Sequence, residues 1–295
     1  MLQASSRSAV HRLVLTVGLC CACAGVAAQS LSELEIGAFH DSNLSRAALA
    51  SDIKSDSVVY ARAWANKSLD LIDDLQMTLT LDLGVESYAR YSRMNNLTLG
   101  LTASARHKFG LGPQAPWLQG AVSATRLQFR DSLRTGWLYN VSLSAGKRLS
   151  DDWDLRVDLT HDRRTADEVF AVVPFFSGDS FGVAGTSLAF KLNYAASRDL
   201  LLTAGYGVRN GDITATAVHT QAIWDASTAW SKDMALGDDN YRIKARTQMF
   251  DLAASLALGE RSSVNASVSR WRSKTYENFD YSNTVLRLNW LHSFD

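Results

Sequence analysis

Leu75-Gln-Met-Thr-Leu-Thr-Leu-Asp-Leu-Gly-Val-Glu-Ser-Tyr88 decides the fold of this chain. Leu75, Met77, Leu79, Leu81, Leu83 and Val85 take every second position, and Gln76, Thr78, Thr80, Asp82, Gly84 and Glu86 fill the gaps. A period of two sends one set to each face of a strand. Variants of this pattern recur to the end of the chain, each roughly ten residues long, the length that crosses a bilayer when a strand is tilted.

Working outward, apolar alternation marks strands around Leu34, Val59, Leu97, Trp137, Trp153, Leu188, Leu202, Phe250, Val264 and Leu286. The segment from Trp117 to Phe129 is out of phase, with Val122 and Ala124 on one face and Trp117, Leu127 and Phe129 on the other, which a bulge would reconcile. The longest excursion runs from Arg209 to Asn240. Connections alternate long and short. An even number of strands, long loops at one end and short turns at the other characterise bacterial membrane barrels. The expected fold class is therefore all-β, a transmembrane antiparallel up-and-down β-barrel of about twelve strands. Trp64, Trp117, Trp137, Trp153, Trp290, Tyr88, Tyr139, Tyr194 and Tyr206 fall near strand ends, where interfacial girdles sit.

The first residues read as a signal peptide over 1–28: Arg7, His11 and Arg12, then an apolar run, then Val26-Ala27-Ala28, with cleavage between Ala28 and Gln29. The barrel would occupy 29–295. All three cysteines, Cys20, Cys21 and Cys23, lie in the leader, which excludes disulfides and cysteine-bound metal from the mature chain. Thirty basic and thirty acidic residues balance, and no basic run points to nucleic acid. No phosphate loop, dinucleotide fingerprint or zinc cluster occurs, so no cofactor and no metal is expected.

Val285-Leu-Arg-Leu-Asn-Trp-Leu-His-Ser-Phe294 and the first hairpin, Gly37-Ala-Phe-His-Asp-Ser-Asn-Leu-Ser-Arg-Ala47, resemble the ends of proteobacterial outer-membrane β-barrel proteins, among them porin-like families of mostly unassigned function. The resemblance implies an outer-membrane location in a Gram-negative bacterium, contact with outer-membrane lipid and lipopolysaccharide, and recognition of the final strand, ending at Phe294, by the barrel-assembly machinery.

With the apolar sets facing lipid, Asp82, Glu86, Arg106, Asp154, Arg156, Asp158, Lys191 and Arg287 would line the lumen. Opposed charges of this kind bias ion passage, so a porin-like channel for small polar solutes or ions is the first expectation. His40-Asp41-Ser42-Asn43 offers a second, because its order is similar to the catalytic stretch of outer-membrane acyl-ester hydrolases. There Ser42 would be nucleophile and His40 base, although Leu44 stands where that family has glycine. A structural or export-associated barrel is the third. Gly178-Asp179-Ser180-Phe181-Gly182 lacks the strand-to-helix setting of a hydrolase elbow. Gly237-Asp238-Asp239-Asn240 reads as a solvated loop tip. Phe170, Val172, Val173, Phe175 and Phe176 make an apolar loop that could constrict the pore, touch lipid or form a partner patch.

Overall fold

The computed structural model describes residues 31–294 apart from Asp73; the signal-peptide reading and its cleavage point lie outside the described residues. Twelve strands close into an antiparallel up-and-down barrel. In chain order they are β1 (Glu33–Asp41), β2 (Asp56–Ile72), β3 (Leu75–Tyr88), β4 (Asn96–Lys108), β5 (Trp117–Phe129), β6 (Gly136–Arg148), β7 (Trp153–Ala166), β8 (Ala184–Ala195) and β9 (Leu200–Ala217). After a short strand, β10 (Ala229–Lys232), come β11 (Asp239–Ala257), β12 (Ser262–Thr275) and β13 (Asp280–Ser293). Each barrel strand pairs with its sequence neighbour. β1 pairs with β13 and β9 pairs with β11, so the ring has no free edge.

The organising strand behaves as its pattern requires. Leu79, Leu81 and Leu83 are 48%, 50% and 40% exposed, and their neighbours Leu97, Leu99 and Leu101 on β4 match them. An apolar band this continuous would be unstable in water; it is the lipid-facing wall of a membrane barrel. Trp137, Tyr139, Trp153, Tyr194 and Trp290 share this outer face, with Trp153 stacked on Tyr194 at 4.5 Å. Trp64, Tyr88 and Trp117 do not belong to the girdle: strand alternation turns them inward.

Two further expectations change. β5 pairs continuously with β4 and β6, without a bulge. Its apparent phase conflict arises because Trp117, Leu127 and Phe129 are large apolar residues on the inner face. The excursion from Arg209 to Asn240 is not mainly loop: β9 runs on to Ala217 and β11 begins at Asp239. Their upper pairs, from Asp212↔Lys244 to Ala217↔Asp239, rise beyond the last β8 pairing at Gly211 and the first β12 pairing at Ala245.

This raised hairpin carries a hydrophobic core of its own. Ile213, Ala215, Ala217, Tyr241, Ile243 and Ala245 join Ile223, Trp230 and Tyr281, all buried. The connecting segment 218–238 adds a short helix, Gln221–Ala226, capped by the Thr220 hydroxyl, and β10, which pairs with β11. Ala48, Val172, Phe176 and Phe279 reach this core from other loops. Phe176 stacks on Trp224 at 4.4 Å, whereas Phe175 and Phe170 stand exposed, so the apolar loop divides between the two environments.

Candidate functional site

The lumen and the segment closing its mouth form the site. Asp82, Glu86, Arg106, Asp154, Arg156, Asp158, Lys191 and Arg287 all occupy the inward strand face. On the wall of β13, β1, β2 and β3, Arg62 reaches Glu86 at 3.2 Å, and Tyr88 and Asn96 also donate to Glu86, at 3.2 and 3.0 Å. Arg287 lies over Phe39 and Tyr60, at 5.3 and 5.4 Å, while the Tyr60 hydroxyl donates to Glu35. Asp82 packs against the bare backbone of Gly100, where a Cβ would stand 2.1 Å from its Oδ1.

The opposite wall, β4 to β9, is organised differently. Arg156 donates to Asp158 at 2.7 Å and to Ser144 at 3.2 Å, and Ser144 donates to Asp158 at 2.5 Å. Asn193 donates to Asp154 at 3.2 Å. Arg106 stacks on Trp117, and Lys191 makes no ion pair among the described residues. Arg106 and Lys191 face inward and are nonetheless solvent-exposed. The lumen at their level is therefore wide enough for water, as a twelve-stranded ring between filled eight-stranded and open sixteen-stranded barrels allows.

The mouth at the long-loop end is covered. The raised hairpin and segment 218–238 bond to the first loop through Thr216 N–H to Ser45 O (2.7 Å), Val218 N–H to Asp52 Oδ2 (3.2 Å) and the Lys54–Asp238 ion pair. They bond to the third loop, 130–135, through Arg134 and Asp233 at 2.6 Å. The fourth loop joins through Trp230 N–H to Ser177 O (2.7 Å) and Ser180 Oγ to Ser231 Oγ (2.5 Å). The first and third loops lie on opposite arcs of the ring from β9 and β11. A segment that touches both crosses the opening, so it is a lid.

Beneath the lid sits a group of arginines that sequence alternation did not single out. Arg134 lies between Asp131 at 3.4 Å and Asp233 at 2.6 Å. Arg209 makes a bidentate pair with Asp162, at 2.7 and 2.9 Å, over Gly185, whose Cβ would clash with the guanidinium. Arg164 packs against Phe129 and Phe181, and Arg46, in a left-handed turn (φ 49), against Trp271. Burial pushes the Asp131 carboxyl up despite the opposing pull of Arg134, and the Asp233 charge adds to the rise.

The remaining sequence candidates take structural places. His40 is on the lipid-facing side, and its Nδ1 bonds the Ser57 hydroxyl at 3.0 Å rather than Ser42. Ser42 Oγ accepts the Thr284 N–H at 2.8 Å. Asn43 is buried and ties the first loop together, donating to Ala47 O and Ser282 O and accepting from Ala47 N–H and Ser45 Oγ. Ser180 is buried against the lid. Gly237-Asp238-Asp239-Asn240 is not a solvated tip: Asn240 is wholly buried and accepts from Thr216 Oγ1 at 2.8 Å, because β11 begins there. Among the described residues no cluster of three metal-binding side chains converges.

No family model matches the chain, and no curated protein sequence matches it. Solved structures do. An outer membrane channel from Pseudomonas putida F1 aligns with 90% of this chain and 96% of its own, at TM-score 0.53 and 15% identity. The translocator domain of the autotransporter NalP from Neisseria meningitidis aligns with 98% and 97%, at TM-score 0.47 and 14% identity. At 15% identity the likeness to the channel is one of fold, a closed barrel.

Proposed function

We propose that this barrel is an outer-membrane diffusion channel for small polar or charged solutes, closed at its outer mouth by the lid. One observation carries the reading: Arg106 and Lys191 point inward and are bathed in solvent. Both stand near the short-turn ends of their strands, so water enters the lumen from that side, and charged groups of both signs line the wall beyond it, the arrangement by which pores select ions. The likeness in fold to an outer membrane channel agrees with it. The leader at 1–28 would direct export, the strand ending at Phe294 would engage the assembly machinery, and the leucine band would contact outer-membrane lipid.

The lid makes the channel a gated one. Its ties to three loops hold the mouth shut, and its polar latches can release without disturbing the β-ladder below. The test is planar-bilayer recording of the refolded mature protein. Discrete conducting steps, more frequent in lid-latch variants such as Asp233→Asn, are the expected result. A folded barrel silent in both wild type and latch variants would remove the reading.

A further inference from the structure

We infer that Arg106 and Trp117 form a preorganised binding subsite for organic carboxylates on the luminal wall; the route of access rests on the channel reading. The Arg106 guanidinium lies 4.3 Å from the centroid of the Trp117 ring. The indole in turn rests on β6 at Gly146, where an added Cβ would stand 2.3 Å from Cζ2 and 2.5 Å from Cε2. Only a residue without a side chain lets the ring lie against the wall. Three strands thus build one stack: backbone, indole, guanidinium.

The stack leaves Arg106 free to bind. Arg156 also approaches the ring, at 5.9 Å, but its nitrogens are engaged by Asp158 and Ser144. Arg106 makes no ion pair among the described residues, and it is exposed to the lumen. Its inward neighbours on β3, β4 and β5 include Gln76, Thr78, Ser104, Lys108 and Gln119. Of the two carboxylates nearby among the described residues, Asp70 accepts from Gln76 at 3.1 Å and Asp74 lies in register with Lys108, and neither is within ion-pair distance of Arg106. A guanidinium held flat on an aromatic ring has given up rotamer freedom before a ligand arrives, and its N–H edge matches a carboxylate in bidentate fashion. Lys108, paired in register with Trp117, strengthens the positive field. Trp117 is itself only half-buried, and with Gly146 on one side and Arg106 on the other its open part is the ring edge, which a flat apolar group borne by the carboxylate can meet. Aromatic carboxylates are the class that fits.

The test is calorimetric titration of the refolded mature barrel in detergent micelles, which needs no conductance. Benzoate is the probe; acetate supplies the charge without the ring, and benzyl alcohol the ring without the charge. Saturable benzoate binding is expected, stronger than acetate, with Arg106→Ala and Arg106→Lys weakening it roughly tenfold or more. Gly146→Ala, which changes no charge, should weaken it several-fold by lifting the ring; circular dichroism checks that each variant folds. Unchanged affinity in Arg106→Ala, equal affinity in Arg106→Lys, or no saturable binding would overturn the subsite. Bilayer recording separates this from the channel: a silent barrel that still binds benzoate sinks only the channel, and an open pore that does not bind it sinks only the subsite.

Discussion

Arg134 on the third loop and Asp233 on the lid meet at 2.6 Å, and the Asp233 side chain is completely buried. Asp233 also accepts from Thr216 Oγ1 at 2.7 Å and from the backbone N–H groups of Ala235 and Leu236 at 2.9 Å. One carboxylate thus fastens the lid to the barrel rim and shapes the turn that begins at Asp233. Removing one partner of a buried pair strands the other and costs about 3–5 kcal/mol.

Arg134→Ala should therefore loosen the lid more than it destabilises the barrel. Amide exchange should accelerate across 212–243 while β3 and β4 stay protected, and channel openings should lengthen. Asp233 also accepts from Thr216, Ala235 and Leu236, so the double variant Arg134→Met/Asp233→Asn, which removes the stranded Asp233 charge and keeps an oxygen to accept those donors, should be closer to wild type than Arg134→Ala. A double variant worse than the sum of the single changes would show that the pair is not the latch.

Acid should favour the closed lid. Burial raises the Asp131 carboxyl above the ordinary carboxylate value in the closed form. A lifted lid takes the Asp233 charge away and lets water in, which returns Asp131 toward that ordinary value. The closed form then holds the proton more tightly, so its advantage grows as pH falls through the raised value and is complete below the ordinary one. Open probability measured against pH should fall in that window, and Asp131→Asn should flatten the dependence.

Charge reversal in the lumen should change selectivity without unfolding the ring. Arg106→Glu exchanges an exposed inward cation for an anion that remains hydrated, and Arg287→Glu makes the same exchange at a half-buried position over Phe39 and Tyr60. Reversal potentials in a salt gradient should move toward cation preference in both, while Ser42→Ala, whose hydroxyl only accepts a backbone N–H, leaves conductance and selectivity where they were.

The two faces of β3 should differ sharply in tolerance. Leu81→Arg places a cation on the lipid side at mid-strand and should cost about 2–4 kcal/mol of stability. Thr80→Arg, one residue away and inward, should cost far less. Urea-induced unfolding in lipid vesicles compares them directly; equal losses would mean that the outer face is not against lipid.

The barrel was legible because alternation is a local property. Leu79, Leu81 and Leu83 declare their face with no knowledge of partners, and twelve such declarations with alternating connections leave few other architectures. The lid was also written in the sequence, in a form the strand pattern disguises. Along β9 the outward apolar set is Leu202, Ala204, Tyr206 and Val208, and then the apolar residues become Ile213, Ala215 and Ala217. Along β11 Tyr241, Ile243 and Ala245 give way to Phe250, Leu252, Ala254 and Leu256. The apolar face reverses in each strand because lipid lies outside the lower part and a protein core lies inside the upper part.

Sequence by itself determined the strand class, the closed ring and, for the regularly alternating strands, which face meets lipid, since these follow from a period of two and from the thickness of a bilayer; it did not place Trp64, Tyr88 and Trp117, which turn inward. Only the tertiary structure decided what the inward residues do. That Asp233 finds Arg134, that Thr216 finds Ser45 across the mouth, and that Arg106 lies on Trp117 above Gly146 depend on ring curvature, strand stagger and loop path, which bring together residues far apart in the chain and leave no local periodic trace.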